Sequence, residues 1–446
     1  MKPLATGFLL LLAGCASLSE DARFSEVERA VQERTGAQTK WLRAETEADS
    51  VRGRVKELLA NPLGAQEAVQ IALLNNPGLQ AAYAEVGIAE ADLVQASRWR
   101  GPRFSFARLR RGDEVEYERS VFFDVLGLLT IPLTVRGEEA RLAGAQSRAA
   151  AEGLRVALDA RKAWFGAVAA SETARYMEQV KEAAEASAEL ARRMAAVGNL
   201  SRLDQAREQA FYAEATAQLA RARQTELAAR ERLARLMGLW GDALAFRLPE
   251  RLPELPKTAK DYGPDLEGQA LAQRLDVQAA RRDTEALARS LNLTKATRYV
   301  SLLEFGLHSN SETGKEPQRG WELELQVPIF GFGDARNARA ERVYLQAVNR
   351  AAETALQARS EVREGYAAYR TAFDLARHYR DEIVPLRKRI SEEVLLRYNG
   401  MLASVFELLA DSRQQVASIN AYIEALRDFW IAESDFQMAL TGGGSK

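Results

Sequence analysis

The chain has 446 residues, with 61 basic and 62 acidic side chains and a formal net charge of −1. This near-neutral balance, without a basic run or a basic–aromatic stripe, gives no sign of nucleic acid binding, and no nucleic acid partner is expected. With one cysteine and two histidines, the chain is short of the side chains that a disulfide framework or a metal cage needs, and no cofactor is predicted.

Residues 1–14 have the pattern of a bacterial secretory signal peptide: a positively charged start, an apolar stretch and small residues before a break. The apolar stretch is too short to span a bilayer as a mature helix. It ends in Leu12-Ala13-Gly14-Cys15, which matches the lipobox whose cysteine is acylated and becomes the first mature residue. Cys15 is therefore the predicted lipid attachment site, and Ala16 after it is typical of an outer-membrane destination. An ordinary signal peptide with a chance cysteine is the alternative.

Long tracts of the mature chain are rich in Ala, Glu, Arg, Leu and Gln, which favours very long helices. No stretch after the signal peptide reaches the roughly 18 apolar residues of a membrane-spanning helix, so a chain that crosses a bilayer must use strands. Heptad seams predict helix packing, and they carry no information on transport. One seam runs from Leu402 to Trp430, and a second consists of Leu203, Ala206, Ala210, Ala213, Ala217 and Ala220.

The two halves of the chain resemble each other at an offset of roughly 200 residues, which indicates an internal duplication. Three segments match in the same order: 79–82 with 277–280, 130–133 with 326–329, and 197–200 with 399–402. Prolines 249, 253 and 256 forbid a continuous helix between the halves. The predicted division is a signal peptide (1–14), a lipidated N-terminal segment (15–64), a first helix–hairpin–helix repeat (65–243), a proline-rich linker (244–263), a second repeat (264–442) and a flexible tail (443–446).

Each half is predicted to contain a helix, two short strands, a very long helix, a turn and another long helix. The first half extends over about 66–237, with a weaker hairpin that starts at Phe104 and returns over 117–133. In the second half we expect a helix at 266–297, followed by strands at 300–308 and 321–329 around a loop. A helix from Asp334 to about Tyr398 comes next, which bends at Pro385 and is closed by Gly400. The last helix is expected at 402–440.

The strand at 321–329 alternates between apolar and polar side chains, so Glu322 and Glu324 share the polar face. Glu304 takes the same face of the partner strand. This pattern suits a transmembrane barrel, whose lumen these glutamates would line and make favourable to cations, although a half-exposed soluble hairpin gives the same pattern. Four strands cannot close a barrel, so the membrane interpretation requires other copies, and three chains would supply twelve strands.

The order and spacing of these features resemble the outer membrane factor (TolC-like) family of outer-membrane efflux lipoproteins. The features that match are the lipobox, the tandem repeat, two hairpins per chain, Pro132 and Pro328 at the expected strand-to-helix junctions, and the helix turn at 397–409. The resemblance implies a mainly α fold with a small β part: a trimeric twelve-stranded transmembrane β-barrel, with four strands per chain, continuous with a long periplasmic α-helical barrel. It also implies a homotrimer in outer-membrane lipid that docks to a periplasmic adaptor protein and an inner-membrane pump.

In such a protein the helix turns at 197–203 and 397–405 would form the periplasmic end. The candidates for gating or adaptor contact are Gly198, Asn199, Arg397, Tyr398, Gly400, Glu407 and Asp411. Phe406 and Leu408 replace the aspartates that the family pattern leads one to expect after the turn. Solvated helix ends are therefore the alternative interpretation of the polar candidates.

The predicted function is the outer-membrane channel of a tripartite efflux system, which passively conducts substrates such as metal ions or small toxic compounds. A type I protein-secretion channel would have the same architecture, and a non-channel periplasmic coiled-coil lipoprotein would explain the helices without trimerisation. The chain is not predicted to be an enzyme, because its sequence has no apparent nucleophile–histidine–acid arrangement, phosphate loop or metal-ligand spacing.

Overall fold

The computed structural model describes residues 18–19, 21 and 23–442. The predicted signal peptide, the predicted lipid attachment site Cys15 and the predicted tail at 443–446 lie outside the described residues. In the part that is described, long helices and one four-stranded sheet make up the fold, and no helix is long and apolar enough to cross a membrane.

The helices are α1 (Ser25–Thr35), α2 (Glu45–Leu59), α3 (Ala65–Asn75), α4 (Pro77–Ser97), α5 (Val125–Ala196), α6 (Arg202–Leu236), α7 (Leu266–Gln273), α8 (Leu275–Ala296), α9 (Asp334–His378), α10 (Val384–Asn399) and α11 (Val405–Thr441). The strands are β1 (Arg103–Arg111), β2 (Glu114–Asp124), β3 (Leu302–Glu312) and β4 (Gln318–Gln326). The chain also forms a 3-10 turn at Gly241–Ala245 and a π-helical turn at Tyr379–Ile383.

The chain forms two compact units. The first takes the described residues up to 27 together with 82–149 and 275–356. It contains the sheet, α8 and parts of α4, α5 and α9. Its core includes Leu142 and Ala286, and Phe24 packs edge-to-face on Tyr83 with the ring centroids 4.7 Å apart.

The second unit takes residues 28–81, 150–274 and 357–446, of which the structure describes the part up to 442. Its core is aliphatic around Leu63 and Leu154 and aromatic around Tyr369, Phe429 and Phe436. The indole N–H of Trp164 donates to the carbonyl of Leu63 at 2.7 Å. The buried indole is therefore held by a specific hydrogen bond as well as by apolar packing.

The sheet is antiparallel in the order β1-β2-β3-β4, so β1 and β4 are its edges. β3 extends to Glu312, although the loop was expected to begin at residue 309. Ladder hydrogen bonds use backbone groups, and the polar residues after 308 continue the pairing with β2 and β4. β4 ends at Gln326 rather than at 329, two residues before Pro328, which has no N–H for the ladder.

The prediction that Pro132 marks a strand-to-helix junction is wrong. β2 ends at Asp124, and α5 begins at the next residue and contains Pro132. The carboxylate of Asp124 accepts the backbone N–H of Gly127 at 2.6 Å, which caps the helix and stops the strand earlier than expected. Pro328 lies outside any helix, so the two prolines do not hold equivalent positions in the two halves.

Two irregularities interrupt helices that were predicted to be continuous. The backbone of Arg274 is extended (φ −65°, ψ 128°), so the predicted helix at 266–297 is divided into α7 and α8. The predicted bend at Pro385 corresponds to the π-helical turn before it, in which the N–H of Val384 donates to the carbonyl of Tyr379. Pro385 cannot donate to the carbonyl four residues earlier, and the wider turn accommodates that loss.

Candidate functional site

The sheet places the three predicted lumen glutamates on one face. Glu304 of β3 lies directly opposite Glu324 of β4, and Glu322 lies opposite Gly306. The guanidinium of Arg103, on β1, forms an ion pair with Glu304 and comes within 4.0 Å of Glu324. The Glu304 side chain is 13% exposed, whereas Glu322 and Glu324 are 51% and 47% exposed. The polar face therefore presents two open carboxylates beside a third that is largely neutralised.

Carboxylates are confined to one face of the sheet, whereas arginines occur on both faces. Every carboxylate within the strands lies on the polar face: Glu114, Glu116, Glu118, Asp124, Glu304, Glu312, Glu322 and Glu324. The opposite face is apolar over most of its length. Its exposed side chains include Phe104, Phe106, Leu307, Trp321, Leu323 and Leu325. A sheet with one acidic and one exposed apolar face suits a wall between water and lipid.

The polar face also joins three side chains that sequence analysis did not connect. The hydroxyl of Ser120 and Nδ1 of His308 are 2.8 Å apart, and Nε2 of His308 lies 2.7 Å from a carboxylate oxygen of Glu322. The second approach is a close contact without hydrogen-bond alignment. Ser120 lies on a different hairpin from His308 and Glu322, so the sequence alone does not indicate this proximity, and without a hydrogen bond between His308 and Glu322 the three side chains do not form a hydrogen-bonded serine–histidine–acid arrangement. Both sides of β2 pair with neighbouring strands, which leaves no free pair of N–H donors to stabilise an oxyanion.

The two helix turns of the second unit have the same backbone structure. In the first turn Gly198 has a φ of +81°, and the N–H of Asn199 donates to the carbonyl of Met194 at 2.9 Å. In the second turn Met401 has a φ of +57°, and the N–H of Leu402 donates to the carbonyl of Arg397 at 2.8 Å. The match of Gly198 with Gly400 was therefore one residue out of register, because Met401 occupies the left-handed position.

Most of the gate candidates do not contact one another within the chain. Arg397 pairs with Glu393 of its own helix at 3.3 Å, and no contact joins it to Glu407 or Asp411 among the described residues. The N–H of Glu407 is capped by Ser404. Asp411 is buried, and its Oδ2 has no hydrogen-bond partner in the part of the chain that the structure describes. The polar candidates thus remain predictions as gate residues.

Exposed apolar side chains mark both turns. They are Val197 and Leu203 at the first turn, and Met401 and Leu402 at the second, with exposed fractions of 60–94%. Large apolar side chains at such exposure are characteristic of surfaces that other molecules cover. Sequence analysis assigned these turns by their glycines and polar residues and missed this apolar character.

Comparison with known proteins identifies the fold. No protein-family model matches the chain, and no curated protein sequence matches it. Solved structures do: the outer membrane protein VceC from Vibrio cholerae has a TM-score of 0.72 at 17% identity, covering 85% of this chain and 96% of VceC. The Campylobacter jejuni CmeC outer membrane channel has a TM-score of 0.73 at 17% identity, over 85% of this chain and 86% of CmeC. The fold is that of the outer membrane factor channels.

A third solved structure is similar to this protein over nearly the whole chain. The outer-membrane channel OprN has a TM-score of 0.72 at 17% identity, over 96% of this chain and 97% of OprN. At such identities the likeness concerns the fold, and the predicted resemblance to the outer membrane factor family is confirmed at that level. The mainly helical class with a small antiparallel sheet is likewise confirmed.

Proposed function

We propose that the chain is the outer-membrane channel of a tripartite efflux system and acts as a homotrimer. The observation that carries the proposal is the open sheet, in which β1 and β4 each present one unpaired edge. Unpaired backbone groups are costly in lipid, so a sheet that spans a membrane must close on itself or on other copies. Three copies would supply twelve strands and close a barrel of ordinary size.

The two faces of the sheet support the same proposal. The apolar face would contact lipid, and the face that carries the carboxylates would line a water-filled lumen. A lumen rich in carboxylates favours cations over anions. The channel would conduct passively whatever an inner-membrane pump delivers, with metal ions or small toxic compounds as the proposed substrates.

The proposed assembly includes a periplasmic adaptor protein, which would contact the helix turns around Gly198 and Met401. Their exposed apolar side chains favour a protein partner there. The chain would be held in outer-membrane lipid by acylation of Cys15 as well as by its barrel. Each of the two proposed repeats, 65–243 and 264–442, would contribute one strand hairpin to the barrel.

The test is the mass of the protein extracted from outer membranes in mild detergent, corrected for bound detergent, together with conductance in planar bilayers. A trimer that forms single channels supports the proposal, and Cys15→Ser should remove the lipid but leave trimers. A detergent-stable monomer without conductance would instead favour the non-channel coiled-coil lipoprotein. If channels form, loss of protein secretion rather than of drug or metal resistance in a deletion strain would favour a type I secretion channel.

A further inference from the structure

The apolar face of the sheet carries four arginines near the hairpin turns. They are Arg108, Arg110, Arg119 and Arg319, all exposed. The strand register places them on the face opposite to the carboxylates. The charge is therefore uncompensated on that side, because no carboxylate of any strand shares this face.

The side chains of this face change in order along the strands. One row across the sheet consists of Phe104, Val121, Leu307 and Trp321. The next row towards the hairpin turns consists of Phe106, Arg119, Ser309 and Arg319. Rows on one face are about 7 Å apart, so the surface changes from apolar and aromatic side chains to cationic ones between adjacent rows. This order is typical of the boundary between the hydrocarbon and headgroup layers of a bilayer.

Tyr117 lies between two of the arginines. The guanidinium carbon of Arg108 is 6.0 Å from the centre of its ring, and that of Arg119 is 5.7 Å away. None of the four arginines forms an ion pair with a carboxylate in the described part of the chain. Arg119 makes only a 3.5 Å contact with the hydroxyl of Ser311, and Arg110 donates to the carbonyl of Gly112 at 2.9 Å. Guanidinium groups held this way keep most of their donors free.

We propose that Arg108, Arg110, Arg119 and Arg319, called here the arginine belt, bind the phosphate groups of lipid headgroups in the outer leaflet. The inference rests on the proposed function, since it requires the apolar face to lie in lipid. Arginine binds phosphate with two parallel hydrogen bonds, which gives specificity that a point charge lacks. Arg119 and Arg319 are two strands, about 10 Å, apart in one row, so one diphosphorylated headgroup could engage both.

The test measures binding of lipid to the full-length protein purified in detergent, with the shift of its thermal unfolding midpoint as the readout. The probes are mixed micelles that contain diphosphorylated lipid A, the same micelles with dephosphorylated lipid A, and inorganic phosphate alone. The test variant is R119Q/R319Q. The matched control R103Q/R111Q removes two positive charges from the opposite face of the same sheet. R119K/R319K separates charge from bidentate geometry.

We expect the phosphorylated lipid to raise the midpoint of the wild-type protein and of the control variant. Each basic residue near an anionic lipid surface contributes on the order of a fivefold change in affinity, so R119Q/R319Q should bind roughly 25-fold more weakly. The lysine variant should fall between. Equal binding of both lipids, or equal loss in the control, would overturn the proposal, and an equal effect of inorganic phosphate would assign the belt to free anions. Conductance of the wild-type protein in neutral bilayers tests the proposed function separately. If channels form but the protein does not prefer the phosphorylated lipid, the arginine belt is refuted and the proposed function stands.

Discussion

Ser201 and Ser404 make the same contact in the two helix turns. The hydroxyl of Ser201 accepts the backbone N–H of Asp204 at 3.1 Å, and that of Ser404 accepts the N–H of Glu407 at 3.3 Å. Each serine caps the helix that follows and stands three positions after the residue with positive φ, Gly198 in one turn and Met401 in the other. The two turns thus share one backbone conformation, as the predicted duplication leads one to expect, even where the side chain at the left-handed position differs.

The turn geometry predicts different effects of alanine at the two glycines that sequence analysis had paired. Gly198→Ala should destabilise the protein by about 1 kcal/mol, because a side chain opposes a left-handed backbone. Gly400→Ala should be nearly neutral, because Gly400 has a φ of −80° and an added Cβ meets atoms no closer than 3.5 Å. Met401→Gly should stabilise the second turn. Thermal unfolding of the detergent-solubilised variants measures all three, and equal costs for the two alanine variants would contradict the register.

The serine caps predict a local change in hydrogen exchange. Ser404→Ala should cost about 1 kcal/mol at the start of α11, since the N–H of Glu407 loses its partner. Exchange of backbone amides in the first turn of α11 should accelerate, and exchange in the middle of that helix should not. Ser404→Asp keeps an acceptor at the cap and is the matched control. Unchanged exchange in the alanine variant would show that the cap does not hold this helix end.

The sequence was sufficient for the kinds of element and their order, and less so for their ends and faces. Long helices and alternating strands follow from composition and periodicity, which are local properties. The alanine seam of α6 shows the limit. Its members at 206, 210, 213, 217 and 220 are exposed, and Glu208, Ala215, Leu219 and Ala222 are buried instead. A helix with small residues on several sides offers more than one packing face, and sequence periodicity does not choose between them.

The buried arginine at the break between α7 and α8 predicts a large loss of stability. Arg274 is 1% exposed, lies 2.7 Å from a carboxylate oxygen of Glu361 and donates to the carbonyl of Ala439 at 3.1 Å. Arg274→Met should cost about 2–3 kcal/mol, because it removes a buried guanidinium with its hydrogen bond to Ala439 and leaves Glu361, which is 35% exposed, without its partner. Arg274→Met with Glu361→Leu should recover part of that loss.

Arg363→Met is the comparison for this prediction. Arg363 pairs with Glu267 at 2.9 Å but is 65% exposed, so its loss should cost less than about 1 kcal/mol. Thermal midpoints of the four proteins rank the effects. If Arg274→Met lowered the thermal midpoint no more than Arg363→Met does, the ion pair with Glu361 would contribute little to the free energy of unfolding.

Glu433 predicts a pH dependence of stability in the second unit. Burial raises the pKa of its carboxyl above the ordinary 4.5, and the nearby cations Arg161 and Lys260 offset only part of this effect. The folded state therefore holds the proton to a higher pH than the unfolded chain does. The stabilisation that the Glu433 carboxyl contributes to the fold is therefore fully present below about pH 4.5 and is lost as the pH rises through the folded pKa.

Glu433→Gln should therefore raise the thermal midpoint at neutral pH and have little effect in acid. Glu424→Gln is the matched control, since Glu424 is an exposed glutamate on the same helix. Unfolding curves between pH 4 and pH 8 give the comparison. A wild-type midpoint that does not fall relative to the Glu433→Gln variant over this range would contradict the buried-carboxyl explanation.

The sequence predicts the features of the candidate site that lie on a single strand, and it does not predict the contacts between strands. The shared face of Glu322 and Glu324 follows from alternation within β4. The contact of Arg103 with Glu304 and that of Ser120 with His308 join strands far apart in sequence, and they depend on the pairing of β2 with β3. No single-strand pattern specifies that register.

Ion selectivity tests the lumen assignment of the polar face. A unit charge about 7 Å from a permeating ion contributes about 0.6 kcal/mol in water and acts with opposite sign on cations and anions, so neutralising one carboxylate should change the cation-to-anion permeability ratio roughly sevenfold. Glu322→Gln and Glu324→Gln should each lower the ratio by about this factor. Glu304→Gln should have a smaller effect, because its carboxylate is largely covered and paired with Arg103. Arg103→Gln should raise the ratio, since it frees that carboxylate.

The measurement is the reversal potential across a planar bilayer under a potassium chloride gradient. Glu316→Gln, an exposed glutamate in the loop between β3 and β4, removes the same charge outside the strands and serves as the control. Because Arg103→Gln and Glu324→Gln are expected to move the reversal potential in opposite directions, nonspecific damage to the fold cannot imitate the result. Shifts of the same sign in both, or no shift in either, would mean that this face does not line the conducting path.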